Sequence, residues 1–86
     1  MKKLMIFHQE RCPFCKRAFT YIEELKKENP KYDKIETELI EETLQPEFAD
    51  TFDYYYVPTF YIDNKKIHEG GIKKDEVKEI LDKALK

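Results

Sequence analysis

The stretch LMIFHQERCPFC, residues 4–15, decides the fold that we predict for this chain. It begins with an apolar run over residues 4–7, which predicts a short buried strand. Pro13 suits the first turn of a helix, and apolar residues then recur at helical spacing. The stretch therefore places Cys12 and Cys15, the only cysteines in the chain, at a strand-to-helix turn. In that context a Cys-x-x-C motif indicates redox chemistry.

The middle of the chain divides at its prolines. Asn29-Pro30 should stop the first helix, and the alternation of Ile35, Thr37 and Leu39 with glutamates predicts a half-buried edge strand with a charged face toward water. A short helix is expected from about Pro46. Residues 59–62 and 66–68 flank Asp63-Asn64-Lys65, which predicts a hairpin because Asp and Asn tolerate tight-turn dihedrals.

The end of the chain predicts one more helix, because apolar residues recur at helical spacing over residues 77–85. The predicted order is then β-α-β-α-β-β-α, with a parallel strand pair joined by a right-handed crossover and completed by an antiparallel hairpin. We therefore predict an α/β fold in which three helices flank a four-stranded mixed sheet. A chain of 86 residues has room for one small domain, residues 1–86.

Composition excludes several classes of function. The 16 basic residues are interleaved with 18 acidic ones and form no long basic run, which argues against nucleic-acid binding. No apolar stretch approaches the roughly 20 residues of a membrane span, and the early run falls short of the roughly 7 to 15 residues of a signal peptide. We therefore expect a cytoplasmic protein. In that reducing compartment a close cysteine pair is expected to be catalytic, sensing or metal-binding.

Cys12 is the predicted nucleophile. Its place at the start of a helix directs free backbone N–H groups and the positive end of the helix dipole at its sulfur, which stabilises a thiolate. Arg11, Lys16 and Arg17 add positive charge nearby. The thiolate is the species that attacks a disulfide, so this position favours catalysis.

Cys15 is the predicted resolving thiol, one helical turn farther on and more buried, with a higher pKa. After Cys12 forms a mixed disulfide with a target, Cys15 attacks Cys12, releases the reduced target and leaves an internal disulfide. Pro13 stiffens the turn between them, and Phe14 offers an exposed apolar contact.

Three motifs together resemble the glutaredoxin branch of the thioredoxin superfamily, over essentially the whole chain. They are Cys-Pro-Phe-Cys after the first strand, Val57-Pro58-Thr59 opening the third, and Gly70-Gly71 before the last helix. The resemblance implies a thioredoxin fold and a dithiol oxidoreductase in which the Val57-Pro58 bond is cis and the Val57 backbone pairs with the bound thiol substrate like an added strand. The predicted substrate-binding residues are Arg11, Pro13, Phe14, Val57, Pro58, Thr59, Gly70, Gly71, Lys73 and Lys74.

The chain also departs from the glutaredoxin pattern. Phe14 replaces the usual tyrosine, and Lys73-Lys74 stand where a polar and an acidic residue commonly contact glutathione. We therefore expect glutathione to bind less well than in typical glutaredoxins, although two lysines beside a helix N-terminus could hold a carboxylate. Thioredoxins proper resemble the chain less, because it has no tryptophan and carries Ile6 where they have a buried acid.

The expected activity is reduction of protein disulfides or glutathione mixed disulfides by a monomer without a bound cofactor. Glutathione and a flavoprotein disulfide reductase are the candidate electron donors.

Two alternatives use the same cysteines: a redox-responsive binding module, and a metal or iron–sulfur carrier. His8 and His68 could join the cysteines as metal ligands, but a structural zinc site usually pairs two ligand knuckles and this chain has one. We therefore assign no metal ligand.

Overall fold

A computed structural model describes residues 2–86 as four strands, three α-helices and one 3₁₀ helix. No helix in this described part is long and apolar enough to cross a membrane. In chain order the elements are β1 (Leu4–His8), α1 (Pro13–Glu28), the 3₁₀ helix (Pro30–Lys34), β2 (Thr37–Glu41), α2 (Pro46–Ala49), β3 (Thr59–Ile62), β4 (Lys65–Glu69) and α3 (Lys74–Leu85).

The four strands form one mixed sheet in the order β2-β1-β3-β4. β1 is parallel to β2 and antiparallel to β3, and β3 is antiparallel to β4. Asp63 and Asn64 connect β3 to β4 with φ values of 48° and 67°, the left-handed conformation that a two-residue hairpin turn requires. The predicted topology and hairpin are therefore confirmed.

The sheet packs helices on both faces. Alternate residues of the central strands, such as Ile6 and Phe60, contact the apolar stripes of α1 and α3 in the larger core. Their neighbours, such as Phe7 and Tyr61, point to the other face and pack with Ala49 of α2 in a smaller, aromatic core. The period-two pattern of a strand explains this division. The cysteines follow the carboxyl end of β1.

The edge position of β2 is as predicted, but its buried face is not. Leu39 is 50% exposed, whereas Ile40 is fully buried in the smaller core. Leu39 lies opposite Ile6 on the α1 side, at the margin of the sheet that α1 covers only partly. Ile35 is buried, but it precedes the strand. The predicted alternation therefore placed the wrong face of β2 toward the core.

The 3₁₀ helix after α1 was not predicted. Asn29 ends α1 and begins the 3₁₀ helix, where its side chain accepts a hydrogen bond from the Lys31 N–H at 3.3 Å. Tyr32 is buried, and its hydroxyl donates to Asp82 of α3 at 2.6 Å. Asn29-Pro30 therefore stops α1, as predicted, and the next turn ties it to α3.

Candidate active site

Cys12 lies at the junction between β1 and α1, with its backbone extended at φ −86° and ψ 115°. Its Sγ accepts a hydrogen bond from the Cys15 N–H at 3.2 Å, and so the side chain caps the helix. The Cys12 N–H donates to the Gln9 carbonyl at 3.2 Å, and Pro13 begins the helix. The sulfur is thus held against a free helix N–H, as predicted, and remains half-buried.

Cys15 is fully buried in the first turns of α1. Burial raises the pKa of its thiol to about 12, and the hydrogen bond to Cys12 acts in the same direction. Cys15 is therefore a neutral thiol at physiological pH. The structure therefore places the first cysteine partly exposed and the second one buried, as predicted.

The loop before β3 faces the cysteine pair. The Val57 carbonyl oxygen lies 3.8 Å from the Cys12 Sγ, and the Val57-Pro58 peptide bond is cis, as predicted. Thr59 is buried, and its hydroxyl donates to the Tyr56 carbonyl. The Gly70 N–H donates to the Pro58 carbonyl at 2.8 Å. The structure therefore brings Val57, Pro58 and the cysteines together.

Glu69, at the end of β4, holds this loop from the other side. Its Oε2 accepts the backbone N–H groups of Tyr55 and Tyr56 at 2.8 and 3.0 Å, and its Oε1 accepts from the Lys66 Nζ at 2.8 Å. Lys66 and then the two N–H groups lower the pKa of the carboxyl to about 2. The sequence analysis missed this residue, because no local pattern links position 69 to residues 55 and 56.

Aromatic side chains border the cysteines. Phe14 is 54% exposed and Tyr56 is 70% exposed. Gly70 and Gly71 lie between them: a Cβ at Gly71 would be 3.5 Å from the Phe14 ring, and one at Gly70 would be 3.8 Å from the Tyr56 Cβ. We call Phe14 and Tyr56 the aromatic rim. The two glycines lie against the rim, and an apolar substrate surface could pack on it.

The two lysines that were predicted to contact the substrate, Lys73 and Lys74, have partners within the protein. The Lys74 Nζ lies 2.7 Å from Glu28 and 3.3 Å from Glu24, both in the carboxyl-terminal half of α1. Lys73 is exposed at the start of α3, where its backbone N–H donates to Glu76 at 3.0 Å. Lys74 thus forms ion pairs with α1, and a substrate role for either lysine stays a prediction.

Arg11 is exposed beside the cysteine turn. It lines a shallow cleft together with Glu41 of β2. Pro13 is also exposed. Both predicted residues are therefore exposed to solvent beside Cys12.

A second carboxylate, Glu42, lies just beyond β2 and close to the buried thiol. It accepts hydrogen bonds from the Tyr54 hydroxyl at 2.6 Å and from the Gln9 side chain. Its charge adds slightly to the raised pKa of Cys15. Glu42 and Tyr54 also line an open cleft of about 440 Å³. The sequence analysis missed Glu42, because only the parallel pairing of β1 and β2 brings it to Gln9.

The alternative of a metal site gains no support from the geometry. Within residues 2–86, no group of three or more His, Cys, Asp or Glu side chains is placed to hold a metal ion. The His68 Nε2 lies 2.8 Å from the Gly71 carbonyl, and the His8 ring packs edge-on against Phe19 at 5.0 Å. Both histidines thus have structural contacts of their own.

Comparisons with solved structures show the same fold. The oxidised thioredoxin from Plasmodium falciparum superposes with a TM-score of 0.73 at 22% identity, over 99% of this chain and 82% of that one. A thioredoxin from Fasciola hepatica gives 0.69 at 20% identity, over 96% and 80%. An uncharacterized thioredoxin-like protein from Clostridium perfringens gives 0.70 at 23% identity, over 98% and 71%.

The family comparison agrees with these structures. None of the curated proteins compared with the chain matches it. The glutaredoxin branch, which the sequence resemblance favours, stays a prediction. A family model described as a thioredoxin domain matches residues 2–82, nearly the whole chain. The chain therefore belongs to the thioredoxin domain family.

Proposed function

We propose that this protein is a thiol–disulfide oxidoreductase that reduces disulfide bonds in protein substrates. The observation that carries the proposal is the asymmetry of the cysteine pair. Cys12 is accessible and its sulfur accepts a helix N–H, whereas Cys15 is buried, with a raised pKa. Such a pair can divide the reaction into an attack by one sulfur and a release by the other.

The first step forms a mixed disulfide. The Cys12 thiolate attacks one sulfur of the target disulfide, the target S–S bond breaks, and the departing target sulfur takes a proton from solvent. The helix N–H at 3.2 Å stabilises the attacking thiolate. One sulfur of the target is now a free thiol, and the other is bonded to Cys12.

The second step releases the target. Cys15 gives up its proton and attacks the Cys12 Sγ, so that the mixed disulfide breaks and the second target sulfur leaves and is protonated. Two electrons have moved from the cysteine pair to the target, and the enzyme holds a Cys12–Cys15 disulfide. The high pKa of Cys15 keeps this thiol protonated in the reduced protein, so Cys12 is the sulfur that attacks first.

The surface beside Cys12 supports a polypeptide as the substrate. The Val57 carbonyl faces the sulfur, and an extended chain could pair with the Val57 backbone as an added strand. The aromatic rim offers apolar contact on either side of Gly70-Gly71. Lys74 is already paired with two glutamates, which leaves less positive charge for the carboxylates of glutathione.

The electron donor is part of the proposal. The internal disulfide needs two electrons to return to the dithiol, and either glutathione or a flavoprotein disulfide reductase could supply them. The proposal also assigns the enzyme to the cytoplasm, where thiols are kept reduced. Turnover with glutathione and its reductase, compared with turnover with thioredoxin reductase, distinguishes the two donors.

Trapping tests the two cysteine roles. Cys15→Ser and Cys12→Ser are each mixed with a disulfide-bonded protein such as insulin, and adducts are measured by mass spectrometry without reductant. We expect a mixed disulfide with Cys15→Ser, because its nucleophile is intact but nothing resolves the adduct. We expect none with Cys12→Ser. Adducts on Cys15 alone would reverse the roles, and no adduct with either variant would contradict the function.

A further inference from the structure

We propose that Glu69 is the positioning residue of the substrate groove: its carboxylate fixes the Tyr55–Val57 backbone so that the Val57 carbonyl faces Cys12. This inference rests on the proposed function and extends it to a residue outside the cysteine motif. Glu69 acts through the loop and does not touch the reacting sulfurs.

The hydrogen bonds of Glu69 are all committed to this loop and to its own strand. One oxygen, Oε2, accepts two consecutive backbone N–H groups, from Tyr55 and Tyr56. Successive N–H groups in a turn form a concave anion site, and here the anion is a side chain of the same protein. The other oxygen accepts from Lys66 at 2.8 Å, which orients the carboxylate.

The restrained segment includes the residue that faces Cys12. Tyr56 is adjacent to Val57, whose carbonyl lies 3.8 Å from the Cys12 Sγ. Other hydrogen bonds act on the same segment and on its neighbours: the Thr59 hydroxyl donates to the Tyr56 carbonyl, the Gly70 N–H donates to the Pro58 carbonyl at 2.8 Å, and the Tyr61 hydroxyl donates to the Asp53 carbonyl at 2.9 Å. Glu69 therefore holds the segment by its N–H groups, and Thr59 holds it by a carbonyl.

Glu69 is well supported for this role. It ends β4 opposite Thr59 of β3, so the carboxylate extends from a hydrogen-bonded strand and not from a mobile loop. The bonds that it makes are charge-assisted, and such bonds are stronger than those between neutral groups.

This arrangement predicts a dependence on substrate size. A polypeptide that pairs with the Val57 backbone needs the loop in place, whereas a small aromatic disulfide needs only the Cys12 sulfur. Loss of Glu69 should therefore impair reduction of proteins more than reduction of small reagents. A general loss of stability would impair both reactions alike.

The experiment compares Glu69→Ala and Glu69→Gln with the wild type. Insulin and 5,5′-dithiobis(2-nitrobenzoic acid) serve as the large and small disulfides, and hydrogen exchange of the Tyr55 and Tyr56 amides is followed by NMR. For Glu69→Ala we expect kcat/KM for insulin to fall about tenfold, mostly through KM, with less than about a twofold change for the small reagent. Exchange of the two amides should accelerate by at least about tenfold.

Glu69→Gln should show a smaller effect of the same kind, because the amide oxygen still accepts hydrogen bonds without the charge. Glu79→Gln, which alters an exposed glutamate of α3, is the matched control and should leave all three measurements unchanged. Equal losses on both disulfides, or unchanged exchange at both amides, would overturn the role of Glu69. The exchange measurement needs no activity, so it is decided separately from the proposed function.

Discussion

Two segments meet at the Cys12 sulfur, and they are held in different ways. The cysteine turn, residues 9–15, is fixed by bonds between residues three apart: the Cys15 N–H to the Cys12 Sγ, and the Cys12 N–H to the Gln9 carbonyl. The facing loop, residues 53–58, is held by Glu69, which lies 13 and 14 residues from the N–H groups that it binds.

We therefore expect the cysteine turn to determine the chemical step and the facing loop to determine substrate recognition. The turn is held by hydrogen bonds among its own residues, so the geometry around the proposed nucleophile is determined locally. The loop takes its shape only when the β3–β4 hairpin is in place, so the groove depends on the fold of the second half of the chain. Variants of the two segments should therefore fail in different ways.

Loss of the nucleophile should give the largest effect. Cys12→Ser removes the attacking sulfur, and we expect turnover of protein disulfides to fall by at least about a thousandfold, because no other group supplies a thiolate there. The measurement is insulin reduction followed by turbidity. Circular dichroism should show an unchanged fold, since the serine hydroxyl can still cap α1. Turnover above a hundredth of the wild-type rate would place the nucleophile elsewhere.

On the loop side, the two glycines should respond differently. Gly70 has φ +91°, which an L-residue rarely adopts, so Gly70→Ala should lower the free energy of unfolding by about 1–2 kcal/mol. Gly71→Ala is the matched control: its Cβ would make ordinary contact with Phe14 and should cost less than about 0.5 kcal/mol. Urea denaturation measures both. Equal costs would show that the conformation of Gly70 does not restrain the loop.

The stability of the protein should depend on the two segments at opposite ends of the pH scale, on the cysteine turn at alkaline pH and on the facing loop at acidic pH. Unfolding lowers the pKa of Cys15 from about 12 to its ordinary value near 9, so above pH 9 the unfolded chain releases a proton that the folded protein keeps. Stability of the reduced protein should therefore fall as pH rises, by about 1 kcal/mol at pH 10 after allowance for solvent screening.

Cys15→Ser is the control for this titration and should lack that part of the decline. Glu69 acts in the opposite sense: because its pKa is lowered, its carboxylate stays charged until strongly acidic pH, and its contribution to stability is lost as the pH falls. Denaturation midpoints from pH 7 to pH 10 provide the test. Parallel curves for the two proteins would mean that Cys15 is not protected by burial.

The smallest predicted effect concerns Glu42, whose charge acts on Cys15 from beyond β2. Glu42→Gln should lower the pKa of Cys15 slightly, and alkylation of Cys15 at pH 9 should accelerate by less than about twofold. Glu41→Gln, which alters a neighbour that bonds to Thr43, is the control and should have no effect. Mass spectrometry of iodoacetamide-treated protein gives the rates. A slower reaction would contradict the sign of the charge effect.

The features that sequence predicts here are those with local causes. Pro13 at a helix start, the Asp63-Asn64 turn and the apolar spacing of α1 and α3 each depend on neighbouring residues, and all three agree with the structure. The exposure of Cys12 and the burial of Cys15 follow from the same helix.

The features that sequence missed have causes distant in the chain. The buried face of β2 depends on which helix covers the edge of the sheet, so Leu39 and Ile40 exchange the environments predicted from alternation. Glu69 and Glu42 reach their partners only through the hairpin and the parallel strand pair. Lys74 pairs with α1, because α3 packs alongside it.

The two outer strands of the sheet have a further consequence, for solubility. Glu38 of β2 pairs with Lys3 at 2.7 Å, and β4 carries Lys65 and Lys66. Charged side chains on edge strands discourage backbone pairing with other molecules, the contact from which β-aggregates grow. Under the proposed function, an extended polypeptide pairs with the Val57 backbone beside Cys12, while the charged side chains of β2 and β4 discourage the same kind of pairing at the sheet edges.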